Sequence, residues 1–278
     1  MDYRSIFMRI KTLSSPLVLV VALITVWDST AAPVDPSIEA ARKILTERQD
    51  SVLWISGVCK VSYTTEGGSG EPVNIPDQER TVEILGTVIS TNGMMVTALS
   101  GIDPAKEISG REVRMGGGTV RLEASSVLKE VKIIMPDGVE VPAEVVMKDV
   151  DLDLAFLRAK SDAKEFRDAT FKAVDLKDSA KVGLAEEVVS ISRADDVLNR
   201  QPTVYNGQVN VLVKKPREFI RASSGGVGTP TFNLDGKLVG IGVLRSSKDK
   251  RSVSVLLPAA DVEEIAEQAR TAAAKAGK

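Results

Sequence analysis

Three dipeptides suited to a tight reversal, Asn92-Gly93, Asp137-Gly138 and Asp235-Gly236, each stand between two short apolar runs. Asn-Gly and Asp-Gly tolerate the positive φ that a two-residue type I′ hairpin demands, so each pair predicts two antiparallel strands. Runs such as Val131-Lys132-Ile133 alternate apolar and polar residues, the pattern of a sheet with one face buried. Strands are therefore expected near residues 51–63, 81–90, 94–98, 130–136, 139–148 and 152–158. A second set is expected near 186–192, 203–213, 217–222, 229–234, 237–244 and 252–257. A stretch of mixed character, Ser161 to Lys181, separates the two sets.

Helices are expected only at the two ends. Asp35-Pro36 opens one, with Asp35 as N-cap, Pro36 at the first helical position and Ile38, Ala41, Ile44 and Leu45 as its apolar stripe. Near the other end Asp261 and Glu264 have capping-box spacing, and Val262, Ile265, Ala266 and Ala269 share one face. Residues 101–130 carry Gly116-Gly117-Gly118 without a following Lys-Ser or Lys-Thr, which argues for a mobile surface loop and against a phosphate-binding one. Residues 1–31 have the form of an export signal. Arg4, Arg9 and Lys11 precede an apolar run from Leu13 to Trp27, and small residues follow, with cleavage expected between Ala31 and Ala32. The apolar run falls short of the ~20 residues that a spanning helix needs, so no stable membrane span is expected after cleavage. An uncleaved anchor is the competing reading.

Composition removes much chemistry before any motif is weighed. The 278 residues include no histidine, which takes away the commonest general base and most zinc and haem sites. A single cysteine, Cys59, forms neither an internal disulfide nor a thiolate cluster. No cofactor and no metal are expected. The net charge of -2 and aromatic content of 4% give neither a basic face nor a stacking surface, so nucleic acid is not an expected partner.

The stretch Ser223 to Leu244, S-S-G-G-V-G-T-P-T-F-N-L-D-G-K-L-V-G-I-G-V-L, resembles the nucleophile loop and following hairpin of trypsin-like serine proteases of the HtrA type. In that family the loop reads G-N-S-G-G-P, followed by two apolar residues and N-L-D-G-K. Aligned without a gap from Asn233 back through Pro230, Val227 takes the serine's place. Gly86 to Gly101, G-T-V-I-S-T-N-G-M-M-V-T-A-L-S-G, is similar to the family's histidine segment and puts Ser100 where the histidine would be. Asp137 to Val146, followed by Asp149 to Leu157, is similar to the carboxylate segment and assigns the aspartate to Asp153.

The resemblance implies an all-β fold of two six-stranded antiparallel Greek-key barrels, chymotrypsin-like, with short terminal helices. The corresponding domains are a signal at 1–31, a helix at 32–50, a first barrel at 51–160, a linker at 161–180, and a second barrel with the C-terminal helix at 181–278. It also implies lost catalysis. A triad needs a nucleophile, a base and an orienting carboxylate, and of these only Asp153 is present. The implied protein is an exported pseudopeptidase without a PDZ domain, whose former cleft holds an extended polypeptide or serves as a scaffold. Its docking edge is expected beside Arg245 to Ser252. A second alignment, with Val227-Gly228-Thr229 as an insertion, makes Ser224 the nucleophile of a serine hydrolase with a base other than histidine. At the carboxylate, Ser100 and nearby backbone N–H groups are expected to close in on Asp153, with Gly101 allowing the approach.

Overall fold

The computed structural model describes residues 34–66, 75–115, 118–247 and 251–276. The export signal expected at 1–31 lies outside them. Asp35 caps helix α1 (Pro36–Arg48), its carboxylate accepting from the Ser37 N–H at 2.8 Å. Ala41 and Ile44 are buried, whereas Ile38, expected in the stripe, is 42% exposed. The helix rests one narrow face on the second barrel, so its apolar stripe is thinner than its sequence suggests.

The first barrel consists of β1 (Val52–Glu66), β2 (Gln78–Val88), β3 (Met94–Ala98), β5 (Gly118–Ile134), β6 (Glu140–Asp149) and β7 (Leu154–Ala159). Helical turns α2 (Leu99–Ile102) and α3 (Ala105–Ile108) and strand β4 (Arg111–Met115) come between β3 and β5. The strand order is β1-β2-β3-β7-β6-β5, closed by pairing of β5 with β1, and β4 adds an outer strand to β5. The second barrel is closed by β8 (Glu187–Arg193), β9 (Pro202–Val213), β10 (Phe219–Ala222), β11 (Pro230–Asn233), β12 (Leu238–Ser246) and β13 (Ser252–Pro258). The helix α4 (Ala259–Ala276) follows. These are two closed six-stranded antiparallel barrels.

Side-chain alternation explains the layering. On β7, Ala155 and Leu157 point into the first barrel with Leu53, Ile55 and Ile133. The intervening Leu154 and Phe156 join a second layer with Val189, Ile241 and Leu257 of the other barrel and Val262 and Ala266 of α4. Strands with both faces buried lose the polar half of their alternation, which is why β3 carries a single polar residue, the buried Thr97. On α4 the expected face of Val262, Ile265, Ala266 and Ala269 is buried, but the helix starts at Ala259. Asp261 therefore lies within the first turn rather than at the cap.

Two other expectations need correction. The described residues of 101–130 form helical turns and strands rather than a loop, while Gly116 and Gly117 lie outside the described residues. Arg111 to Met115 pair with Gly118 to Leu122, and β5 then runs along β1 from Glu66↔Arg121 to Trp54↔Ile134. The glycine-containing dipeptides do mark turns, but not of type I′. Positive φ falls on Gly93, Gly138 and Gly236, while their partners Asn92, Asp137 and Asp235 are outside that region. At Asp235-Gly236 the Asn233 N–H donates to the Lys237 carbonyl at 3.0 Å, and Asn233 Oδ1 accepts from the Lys237 N–H at 2.9 Å. That closes a three-residue loop with a left-handed glycine, the other common hairpin solution.

Candidate functional site

The site lies where the end of β3, the turn before β7 and the middle of β12 meet. β3 finishes at Ala98, and Ser100 lies in the single turn of α2. The Leu99 N–H donates to the Asp153 carbonyl at 2.9 Å, which joins α2 to the β6–β7 turn. Asp153 was expected within a strand. Instead it precedes β7 with φ 59°, a left-handed conformation that aspartate and asparagine tolerate better than most residues.

Asp153 is buried, with 3% of its surface exposed, and four donors meet its carboxylate. Oδ1 accepts from the Ser100 N–H at 2.8 Å and from Lys106 Nζ at 3.1 Å. Oδ2 accepts from Ser100 Oγ at 2.9 Å and from the Leu244 N–H at 2.9 Å. The expected approach of Ser100 and nearby backbone donors is present at hydrogen-bonding distance. A buried carboxylate without partners costs several kcal/mol, and this donor set removes that cost. Gly101 contributes differently from what was expected. A Cβ there would fall 1.7 Å from Ile84 Cδ1, so its smallness serves packing on β2 rather than approach to Asp153.

Sequence reasoning missed Lys106. It stands on α3, inside the segment read as a loop, and its side chain is 38% exposed while pairing with Asp153. The overlooked signal was Asp103-Pro104, which repeats the helix-opening pattern of Asp35-Pro36.

The glycine loop after β10 is tied down by its own bonds. The Gly226 N–H donates to Thr229 Oγ1 at 2.9 Å, and the Gly228 N–H donates to the Gly242 carbonyl at 2.8 Å. Thr87 Oγ1 of β2 donates to the Gly228 carbonyl at 2.9 Å, linking the loop to the first barrel. Val227 is half-buried and packs against the first barrel's apolar core. Ser224 Oγ lies 3.2 Å from Ser190 Oγ, which in turn bonds Thr231 Oγ1 at 2.8 Å. The structure therefore joins Ser100 directly to Asp153. Among the described residues no hydrogen bond or ion pair links Ser224 or Val227 to Ser100, Lys106 or Asp153.

A cleft of about 410 Å³ opens beside the carboxylate, lined by Ser100, Lys106, Arg111, Asp153, Leu244, Ser246, Ser247 and Ser252. Serines and charged residues make up most of its lining, and its second-barrel wall is the outer end of the β12–β13 hairpin. Arg245 is held at its rim, donating to the Asp151 carbonyl at 2.8 Å with its guanidinium 4.6 Å from the Phe219 ring centre. Among the described residues no helix is long and apolar enough to cross a membrane. No cluster of metal-ligating side chains occurs among them either.

The trypsin-like peptidase domain model matches residues 85–241, more than half of the chain and a span that contains Ser100, Asp153, Ser224 and Val227. A probable periplasmic serine endoprotease DegP-like of Bartonella henselae is 26% identical over 147 residues, covering 49% of this chain and 27% of that protein. The serine protease Do-like HtrA of Bacillus subtilis is 26% identical over 156 residues, covering 50% of this chain and 32% of that protein. The chain thus spans less than a third of the length of these relatives. Among solved structures, the apo form of the MamO protease domain from Magnetospirillum magneticum shares 18% identity and gives a TM-score of 0.47, covering 78% of this chain and 96% of that one. With two closed barrels in place and the family model spanning both of them, the chain belongs to the trypsin-like peptidase domain family.

Proposed function

We propose that this protein is an exported pseudopeptidase that holds an extended polypeptide in the cleft beside Asp153 without cutting it. The observation that carries this reading is the filled carboxylate. Where a triad carboxylate would orient a base, both oxygens of Asp153 accept instead from Ser100, Lys106 and Leu244. Serine does not take a proton at neutral pH, and Lys106 donates to a carboxylate rather than facing a hydroxyl nucleophile. Val227, at the position matched to the nucleophile, presents an apolar side chain to the first barrel's core. Export is supported by the residue pattern of 1–31 and by the periplasmic designation of the DegP-like relatives.

Binding would use the outer end of β12. Beyond Gly242, whose N–H donates to the Thr229 carbonyl at 3.0 Å, the strand leaves β11 and borders the cleft. A polypeptide added there gains main-chain hydrogen bonds that need no triad. No nucleic acid and no cofactor enter this reading.

The experiment is a fluorophosphonate label together with a casein-cleavage assay on the exported form. Neither labelling nor cleavage is expected. Labelling at Ser224, or cleavage abolished by Ser224→Ala, would replace this reading with that of a serine hydrolase. Mass spectrometry of the exported chain should find Ala32 as its first residue.

A further inference from the structure

The strongest unassigned feature is on the first barrel, away from the cleft. β5 and β6 are joined by the Asp137-Gly138 turn but pair only at Lys132↔Pro142, Ile133↔Val141 and Ile134↔Glu140. Beyond Lys132 they diverge. The cause lies in two bulges. Lys129 is the extra residue of β5 opposite Val58 and Cys59 of β1, and Val146 is the extra residue of β6 opposite Phe156 and Leu157 of β7. A bulge bends its strand, and here each bend accompanies a strand that follows its other neighbour.

Residues 126–131 of β5 and 143–148 of β6 each pair along one edge only, and their free edges face each other across a groove of about 630 Å³. Two opposed free edges are a stronger template for a strand than one, because an inserted segment satisfies main-chain groups on both sides. Since β5 and β6 run antiparallel, the segment would be parallel to one and antiparallel to the other.

The lining states the charge of the guest. Lys129, Lys132, Lys148 and Lys160 surround the groove, against Glu130 and Glu144. Glu144 is neutralised by Arg158 at 2.6 Å and Lys132 by Glu140 at 2.8 Å. That leaves Lys129, Lys148 and Lys160 facing the groove against Glu130 alone. The groove shares no lining residue with the cleft at Asp153.

We propose that the slot between β5 and β6 binds an acidic, extended polypeptide segment as an inserted strand, independently of the cleft. The probe is a fluorescein-labelled seven-residue peptide alternating aspartate or glutamate with valine, titrated by fluorescence anisotropy against the whole chain. Binding should exceed that of the matching lysine–valine peptide and weaken with added salt. The exposed pair of changes Lys129→Glu and Lys148→Glu should weaken it at least tenfold. Hydrogen exchange followed by mass spectrometry should show the bound peptide slowing amides in both 126–131 and 143–148. Equal binding of the two peptides, or unchanged exchange on either strand, would overturn the proposal. So would protection of both strands without peptide, which rises with protein concentration, because the slot would then be an interface between copies.

Discussion

Replacing Asp153 by glycine isolates the contribution of the carboxylate. Glycine holds the native φ of 59° without strain, so the backbone turn survives while its acceptor is lost. Two partly buried backbone donors, the N–H groups of Ser100 and Leu244, then lose their protein partner. A fully buried orphan costs about 1–3 kcal/mol, and each of these partly buried donors at most that. The Ser100 hydroxyl rotates to another acceptor, and Lys106, being 38% exposed, returns to water at the cost of a surface pair, about 0–1 kcal/mol. The expected loss is about 4 kcal/mol, which in a chain of this size lowers Tm by about 8–16 °C. Asp153→Ala should cost more. It adds about 1–2 kcal/mol of left-handed strain, partly offset by about 0.4–1 kcal/mol that alanine gains over glycine through a less disordered unfolded chain. Lys106→Met should cost less than about 1 kcal/mol. Urea unfolding followed by circular dichroism measures all three variants. If Asp153→Gly cost less than about 1 kcal/mol, or alanine proved more stable there than glycine, the account of Asp153 as a buried acceptor on a left-handed turn would be wrong.

Glycines offer a paired test. A Cβ at Gly228, with φ 79°, would lie 2.0 Å from the Leu85 carbonyl oxygen, whereas one at Gly138, with φ 87°, meets nothing within 4 Å. Gly138→Ala should therefore cost only the strain of about 1 kcal/mol, and Gly228→Ala clearly more, since backbone of the other barrel must move; thermal unfolding compares them. Phe156→Ala empties a fully buried position in the layer shared by the barrels and α4, and should cost about 3–5 kcal/mol in urea unfolding, with both barrels melting together.

What the sequence conveyed well was whatever repeats with a short period. The hairpin glycines and the apolar strands of both barrels were found to within a few residues. The exact turn was not, because Asp-Gly suits both a two-residue and a three-residue loop, and the choice rests on the Asn233 side chain capping Lys237. β4 and the outer half of β5 were lost for a different reason. There Val120, Leu122 and Ala124 do alternate with Arg121, Glu123 and Ser125, but the glycine run just ahead of them led the whole segment to be read as a loop. Lys106 was hidden with them. At Asp153, Leu152-Asp153-Leu154 alternates as a strand would, and no local signal reveals the positive φ. Ser100 and Asp153 were found only because the surrounding segments resemble a family, since a lone serine and a lone aspartate carry no spacing of their own.

The bonds at Asp153 also explain how a carboxylate is accommodated in a chain without histidine. Its partners come from three places: α2 after β3, α3 within the β3–β5 connection, and β12 of the other barrel. Asp153 itself closes the turn into β7, where its carbonyl receives the Leu99 N–H. One side chain thus joins both barrels at the level where the apolar layer of Leu154, Val243 and Leu257 ends and the serine-lined cleft begins. A hydrophobic residue at position 153 could extend that layer but would leave the Ser100 and Leu244 N–H groups unpaired at its margin. A neutral amide presents only one acceptor atom to donors that meet both oxygens. A carboxylate is the small side chain that answers all four donors at once.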